Sequence, residues 1–390
     1  MMYDKKFDYI PFRINFINNI LKNNNLNPMI DTNQIDTEAF INTNNSNDTE
    51  IVLNKKILNF NDVINKIGGK LIYIKSGTTG HTFRGFDPTD INAPNYAVKV
   101  VAYPKKDDYG KVSDISRPEN AELMMLKVLS YFVVNNHTPH IVLPIGTFDT
   151  NIEPFLLLKK QGIVNNKKYS LFLKKYKNKE LYNTVSILIS EWANNSDLLE
   201  YVRSYKDNMT TLEWKVIFFQ ILSVLVVIQT KYPNFRHNDL KANNILIHNI
   251  SKLKKNNLFK YLINGKIYII PNIGFQIKIW DFDFACIKDI VNNSKVNAKW
   301  TSKINIDSTQ NRYYDVHYFF NTLTKKGFYP ELFDSDNVDQ SIKEFIKRIV
   351  PDKYTNNTKI SKRGRLLIND EYLTPEEIIT KDVFFEEFRR

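Results

Sequence analysis

Cysteine is nearly absent. The single Cys286 excludes an intramolecular disulfide framework and a zinc site built from cysteine pairs. It suits the reducing interior of a cell. Glycine is scarce as well, with twelve in 390 residues. That excludes collagen-like chains and flexible Gly/Ser linkers, and it makes every glycine cluster worth inspecting. The six histidines lie apart from one another and suggest no zinc site. Long hydrophobic runs are missing. The most apolar stretch, Val216–Ile228, is broken by Gln220 and Ser223; it is short for a membrane span and reads as a buried helix. No apolar leader follows Met1-Met2-Tyr3-Asp4-Lys5-Lys6. These absences set the expectation of a soluble, intracellular, cytoplasmic protein with no transmembrane segment; peripheral membrane contact stays open.

What is present is an ordinary globular balance, 43% hydrophobic and 25% charged, with 48 asparagines. The formal net charge is +12. A basic surface attracts nucleic acid, membranes or acidic substrates. No Arg-rich cluster or nucleic-acid motif accompanies the charge, so no nucleic-acid partner is expected, and the Asn/Lys/Ile/Tyr bias reads as an AT-rich coding habit.

Residues 1–50 are polar, and Thr43–Glu50 has no periodicity, so this part is expected to be a flexible or loosely packed extension. From Ile51 the pattern turns globular. Leu71–Lys75 and His81–Gly85 read as strands around a Ser76–Gly80 turn, and Tyr96–Ala102 as a further strand. Arg117–Tyr131 reads as a helix, with Leu123, Leu126 and Leu129 at helical spacing. Ile141–Phe148 and Val185–Glu191 read as strands. Between them Lys159–Lys179, with eight lysines, reads as a solvated hairpin insertion. Leu212–Gln229 is an apolar helix in which Trp214, Phe218 and Leu222 are core. A Lys/Asn-rich insertion at Ser251–Lys260 precedes strands at Lys266–Ile270 and Phe275–Trp280, and the chain from Asp315 onward reads mainly as helices.

The sharpest motif is His237-Asn238-Asp239-Leu240-Lys241-Ala242-Asn243-Asn244. H-x-D-x-x-x-x-N is a phosphoryl-transfer pattern. The Asp239 carboxylate can orient a hydroxyl and accept its proton, and the Asn244 amide oxygen is a hard ligand suited to Mg²⁺. Lys241 can offset charge on the transferring phosphate. Taken alone, the stretch is also an ordinary polar loop. Asp281 ends the apolar run Ile277–Trp280, where a carboxylate can hold a metal that bridges phosphates. Upstream, Ser76-Gly77-Thr78-Thr79-Gly80 forms a short Gly turn, and Lys99 follows on a strand, with Glu119 and Glu122 as candidate ion-pair partners. Glu122 is preferred because the buried helix face follows it.

In this order the motifs resemble the eukaryotic-type Ser/Thr protein kinases over roughly Asn59 to Phe385. Within that resemblance the Asn-rich composition and the Asn at 238 are most similar to protein kinases of poxviruses and other large DNA viruses. The resemblance implies an α+β fold: a bilobal protein-kinase-like arrangement, with a small antiparallel β lobe (51–192, including the hinge) and a larger mainly helical lobe (193–390). It implies ATP and Mg²⁺, with Mn²⁺ as an alternative, and a protein substrate with a Ser or Thr acceptor. Lys99 and Glu122 would align the phosphates under Gly77, Thr78, Thr79 and Gly80. Ala97, Ser190 as gatekeeper, and the backbone of Glu191 and Ala193 would lie at adenine, and Asp197 near the ribose. Asn244 and Asp281 would hold the metal, Asp239 would be the base, Lys241 its partner, and Asp315 would brace the loop. If viral, the protein would work in host cytoplasm or in the virion.

Several departures stand out. Lys75 replaces the first glycine of the phosphate loop, Asp283 replaces the glycine two after Asp281, Asn238 replaces the arginine before the base, and no Ala-Pro-Glu segment precedes Asp315. Asp283 also suits a small-molecule phosphotransferase of the choline or aminoglycoside type. Lys75 and Asp283 together suit a catalytically silent scaffold.

Overall fold

The structure is a computed structural model that describes residues 10–22, 26–30, 48–67, 69–77, 80–89, 94–250, 258–296, 298–355 and 358–390. The chain divides into two compact units, one built from Pro11–Tyr131 with Leu143–Trp192, the other containing Phe132–Val142 with Ala193–Arg390.

The first unit opens with helix α1 (Ile10–Lys22), where part of a loose extension was expected. Ile10, Arg13 and Ile17 recur at helical spacing and are all buried. Residues 1–9, 23–25 and 31–47 lie outside the described residues. Of the Thr43–Glu50 stretch, Asp48 caps a short helix, α2 (Thr49–Val52), by accepting the Glu50 N–H. Helix α3 (Phe60–Lys66) follows, capped by Asn59.

The sheet comes next: β1 (Lys70–Ser76), β2 (Gly80–Phe86) and β3 (Tyr96–Pro104), then helix α4 (Pro118–Val134) and strand β4 (Pro144–Asn151). A short helix α5 (Glu153–Leu156) and helix α6 (Lys167–Lys177) precede β5 (Leu181–Glu191). The strand order is β1-β2-β3-β5-β4, antiparallel throughout. In the centre Lys99 lies opposite Thr82 on one side and Leu188 on the other.

Helix α6 corrects the expected Lys-rich hairpin. Asn166 caps it, and Tyr169 and Phe172, three residues apart, are buried while the lysines take the solvent side. Those two rings pack on His81 of β2, at 5.4 Å and 4.6 Å between centroids. The strand expected at Ile141–Phe148 also begins later. Ile141 bridges Ile279 instead, and pairing with β5 starts at Pro144.

The second unit is mainly helical. It contains α7 (Leu198–Tyr205) and α8 (Thr211–Lys231), which opens on a reciprocal capping box between Thr210 and Glu213. By length and composition α8 is apolar enough to cross a membrane. It is instead the core of this unit: Phe218 is fully buried, with the rings of Phe320 and Phe345 at 4.9 Å and 5.8 Å. Burying such a ring stabilises the fold by roughly 2–3 kcal/mol.

Strands β6 (Ile245–Asn249), β7 (Leu258–Ile263), β8 (Lys266–Pro271) and β9 (Phe275–Ile279) form two antiparallel pairs, β6 with β9 and β7 with β8. Asn264 and Gly265, both at positive φ, make the tight turn between β7 and β8. Residues 251–257 of the expected insertion lie outside the described residues. Helices α9 (Lys299–Ser302), α10 (Tyr314–Leu323), α11 (Gln340–Ile349) and α12 (Pro375–Lys381) follow. A second capping box, Thr374 with Glu377, starts α12.

Candidate active site

In the sheet unit, β3 carries Lys99 and α4 carries Glu122. The ammonium lies 2.6 Å from Glu122 Oε1, and the carboxylate is almost wholly buried. The competing acid, Glu119, pairs with Arg117 at 2.9 Å. Ala97 and Ser190 sit opposite each other across β3 and β5, both buried. Glu191 ends β5. Its N–H donates to Leu143 O at 3.0 Å, and its carbonyl accepts the Ser190 hydroxyl at 3.3 Å. Its buried carboxylate accepts two bonds from Arg13 of α1, at 2.8 Å and 2.5 Å.

The Gly turn closes with a bond from Gly77 N–H to Gly80 O at 2.8 Å. Thr78 and Thr79 lie outside the described residues. Gly80 has a packing reason to be glycine that the sequence reading did not include: a Cβ there would sit 1.9 Å from Val100 O on β3. Among the described residues, the nearest atom to a Cβ at Gly77 is Gly80 O at 3.8 Å.

In the helical unit, the β6–β9 ladder brings the proposed metal ligands to one end. Ile245 pairs with Ile279, and the next peptide outward is closed by Trp280 N–H donating to Asn244 O at 3.0 Å. Asp281 follows at once, with φ +66. That left-handed conformation is uncommon for a residue with a side chain, and Asp is among those that tolerate it. The amide of Asn244 donates to Asp239 O at 2.9 Å and to Asp239 Oδ2 at 3.1 Å. Both donations fix the way the amide faces and leave Oδ1 as its lone-pair donor. An amide oxygen and a carboxylate are the hard donors Mg²⁺ prefers, so the pair suits that ion.

Asp239 is buried and its carboxylate is gripped on both oxygens. Lys241 Nζ lies 2.7 Å from Oδ2, and Arg365 donates to Oδ1. The loop is braced from behind. Asp315 on α10 accepts the N–H of His237 at 2.7 Å and of Asn238 at 2.9 Å. Burial raises the Asp315 carboxyl above its ordinary range, against the opposing pull of His237 and Arg236. His237 Nε2 lies 3.1 Å from Trp280 O, and its ring lies 5.1 Å from that of Phe282. The histidine therefore packs beneath the Asp281 turn.

Asn238, itself at φ +62, fills the place of the absent arginine in a different way. Its amide donates to Phe284 O and to Asp307 O, both at 3.1 Å, so two neutral bonds tie the loop to the segment after Asp281. Asp283 pairs with Lys295, whose ammonium lies 4.0 Å from the centroid of the Phe284 ring. Cys286 is buried beside Val296 and Ile306, and burial pushes its thiol up to about 12, which makes it packing rather than a nucleophile. Asp197, expected near a ribose, caps α7 by accepting the Glu200 N–H at 3.0 Å. Ala193 is buried.

Arg365 is the residue that the reading of motifs missed. So is Lys55, fully buried in the sheet unit against Asp149 at 2.8 Å, Ser186 at 2.9 Å and Asn120 at 3.1 Å. Neither cation has a local spacing that would mark it. Among the described residues no group of three or more His, Cys, Asp or Glu side chains is placed to hold a metal.

The antiparallel sheet bearing a Lys–Glu pair and the helical unit bearing an Asp–Lys–Asn loop beside an Asp turn define a protein of the kinase class. A family model described as poxvirus serine/threonine protein kinase matches residues 111–388. The chain therefore belongs to that family. It is 47% identical over 385 residues to the protein named "Putative serine/threonine-protein kinase R400" of Acanthamoeba polyphaga mimivirus, an overlap that covers 97% of this chain and 80% of that one. It is 32% identical over 178 residues to serine/threonine-protein kinase 2 of swinepox virus, 44% of this chain and 34% of that one. With the fowlpox virus protein of the same name it shares 26% over 268 residues, 66% of this chain and 54% of that one.

Proposed function

We propose that this chain is an ATP-dependent protein kinase that transfers the γ-phosphoryl group of ATP to a serine or threonine hydroxyl. The observation that carries the reading is the convergence of Asp239, Lys241, Asn244 and Asp281 at one end of the β6–β9 ladder. Asp239 accepts the proton of the attacking hydroxyl as its oxygen bonds to the γ-phosphorus and the bond to the β,γ-bridging oxygen breaks. Lys241, already on that carboxylate, offsets charge on the transferring group. Asn244 Oδ1 and the Asp281 carboxylate would hold Mg²⁺, which would neutralise charge on the nucleotide phosphates. Lys99, oriented by Glu122, neutralises the nucleotide phosphates. The two compact units are read as the β lobe with its hinge and the helical lobe, and host cytoplasm or the virion as the place of action.

Two observations bear on the other readings. Asp283, which suits a small-molecule phosphotransferase, is paired with Lys295 and so has a structural partner. The groups whose loss would make a silent scaffold, Lys99, Asp239, Asn244 and Asp281, are all in place. The test is incubation of the purified chain with labelled ATP, Mg²⁺ and a Ser/Thr peptide library beside aminoalcohols and aminoglycosides. Label on peptide serine or threonine is the expected result. Label confined to the small molecules, or no Mg-ATP-induced rise in melting temperature, overturns the proposal.

A further inference from the structure

The catalytic carboxylate has a partner from far along the chain. Arg365 lies between α11 and α12, 126 residues after Asp239. One terminal nitrogen donates to Asp239 Oδ1. The other donates to the backbone carbonyl of Asn238 and lies 3.3 Å from Tyr314 OH. The guanidinium plane also covers the Tyr318 ring, with its carbon 4.1 Å from the centroid. The arginine is buried and so is Asp239. A charged pair in such surroundings is strong only if its geometry is held by further bonds.

Those bonds are present. Ile360 bridges Leu366, and Gly364 N–H donates to Ser361 O at 2.8 Å, which makes a tight turn. Gly364 has φ +84, and a Cβ there would press to 3.2 Å from Thr322 Cγ2 on α10. Asn321 of the same helix donates to Gly364 O at 3.0 Å. On the other flank Asn305 donates to Leu366 O at 3.0 Å and to Ile368 O at 3.2 Å. The turn is therefore stapled on both sides of Arg365, and its side chain arrives at Asp239 from a fixed base.

We infer that Arg365 is a positioning residue for the catalytic base, fixing the Asp239 carboxylate and the Asn238–Asp239 peptide. The job is done from the 360–368 turn rather than from an arginine next to the base. Lys241 and Asn244 hold Oδ2, and Arg365 holds Oδ1, so neither torsion of the side chain is free. With two donors on Oδ2 and one on Oδ1, it is Oδ1 that keeps a further lone pair for a substrate hydroxyl. This rests on the protein-kinase reading.

The experiment compares the full chain with Arg365→Ala and Arg365→Lys in steady-state peptide phosphorylation, with and without added guanidinium at a concentration that leaves the wild type folded. Arg365→Ala is expected to lower kcat about 10²-fold while the KM for ATP stays within about three-fold, since a base misplaced by an ångström costs that much. Guanidinium is expected to restore activity to Arg365→Ala and not to raise that of the wild type. Arg365→Lys, which keeps the charge but not the planar fork, is expected to fall between. A buried side chain has been removed, so melting temperatures are measured alongside, and the rescue separates a positioning role from a structural one. The inference is overturned if Arg365→Ala keeps kcat within about two-fold, or if its loss does not respond to guanidinium. A wild type that transfers no phosphate overturns the kinase reading itself and this inference with it.

Discussion

Asp315 accepts the N–H of His237 at 2.7 Å from a position wholly buried in α10, and the next N–H, of Asn238, at 2.9 Å. One carboxylate thus carries two consecutive peptides of the loop that bears Asp239. Asp315→Asn offers a single acceptor oxygen, and its amide group must face one of the two N–H donors. The variant is expected to lose about 2 kcal/mol or more of stability. Urea denaturation of the two proteins measures this, and kcat is expected to fall with it because the Asn238–Asp239 peptide loses its brace.

Lys99 and Glu122 form the ion pair of the sheet unit, at 2.6 Å. Lys99→Met keeps the packing of the stem and removes the charge that would meet the nucleotide phosphates. Phosphate transfer is expected to fall at least about 10²-fold, with Glu122→Gln falling less. The double variant should be no worse than Lys99→Met alone if the two side chains act as one unit, and strict additivity of the losses would show that they do not.

Gly80 and Gly77 bound the same turn but differ in what surrounds them. Gly80→Ala drives a methyl group into Val100 O, which must shift the β2–β3 pairing, at a cost of about 1–3 kcal/mol. Gly77→Ala has room among the described residues and is expected to stay within about 0.5 kcal/mol of the wild type. Thermal unfolding of the two variants distinguishes them. Equal loss would mean that the turn, rather than the strand contact, needs glycine.

Two buried histidines contribute acid sensitivity at mildly acidic pH. His317 is buried with Nε2 2.7 Å from Tyr354 O, and burial lowers its pKa from the ordinary 6.5 to about 4. Burial does the same to His81, also to about 4. At these two positions the unfolded chain takes up protons as the pH falls below about 6.5, while the folded chain does so only near 4. Stability is therefore full above that window and drains within it, by up to about 3 kcal/mol per histidine. Urea midpoints measured across the window should fall with pH, and His317→Gln should flatten part of the slope. An unchanged slope in that variant would assign the acid sensitivity elsewhere.

The residues of the proposed chemistry were readable because the reaction demands particular side chains within short windows. Asp239, Lys241 and Asn244 fall within six residues, and Asp281 ends a strand whose pairing with β6 is local. Asp315, far from that window, was readable only through the family resemblance of its own segment, Tyr313–His317. Arg365, Arg13 and Lys55 were not, because each works through one long-range pair with no spacing to betray it. Lysine density hid α6: the helical spacing of Tyr169 and Phe172 is in the sequence, but the charges around it look like a solvated loop. Asp197 shows how one residue type serves two ends. An aspartate three residues before a glutamate is as good a helix cap as it is a ribose ligand, and here it caps. The β7–β8 hairpin was not read, since residues 258–260 of β7 fall within the Lys/Asn-rich insertion, although Asn264-Gly265 is a pair that favours positive φ at both positions.

The pairing of Arg13 with Glu191 spans 178 residues. During synthesis the arginine leaves the ribosome first and waits roughly 10–35 s for its carboxylate, at elongation rates of about 5–20 residues per second. Lys55 faces a shorter wait of the same kind for Asp149. Until β5 emerges, Arg13 lacks the carboxylate it is buried with and β3 lacks one of its neighbours in the sheet, whereas Asp149 on β4 reaches Lys55 earlier. Completion of the five-stranded sheet is thus timed by the arrival of its last-made strand, which both β3 and β4 pair with.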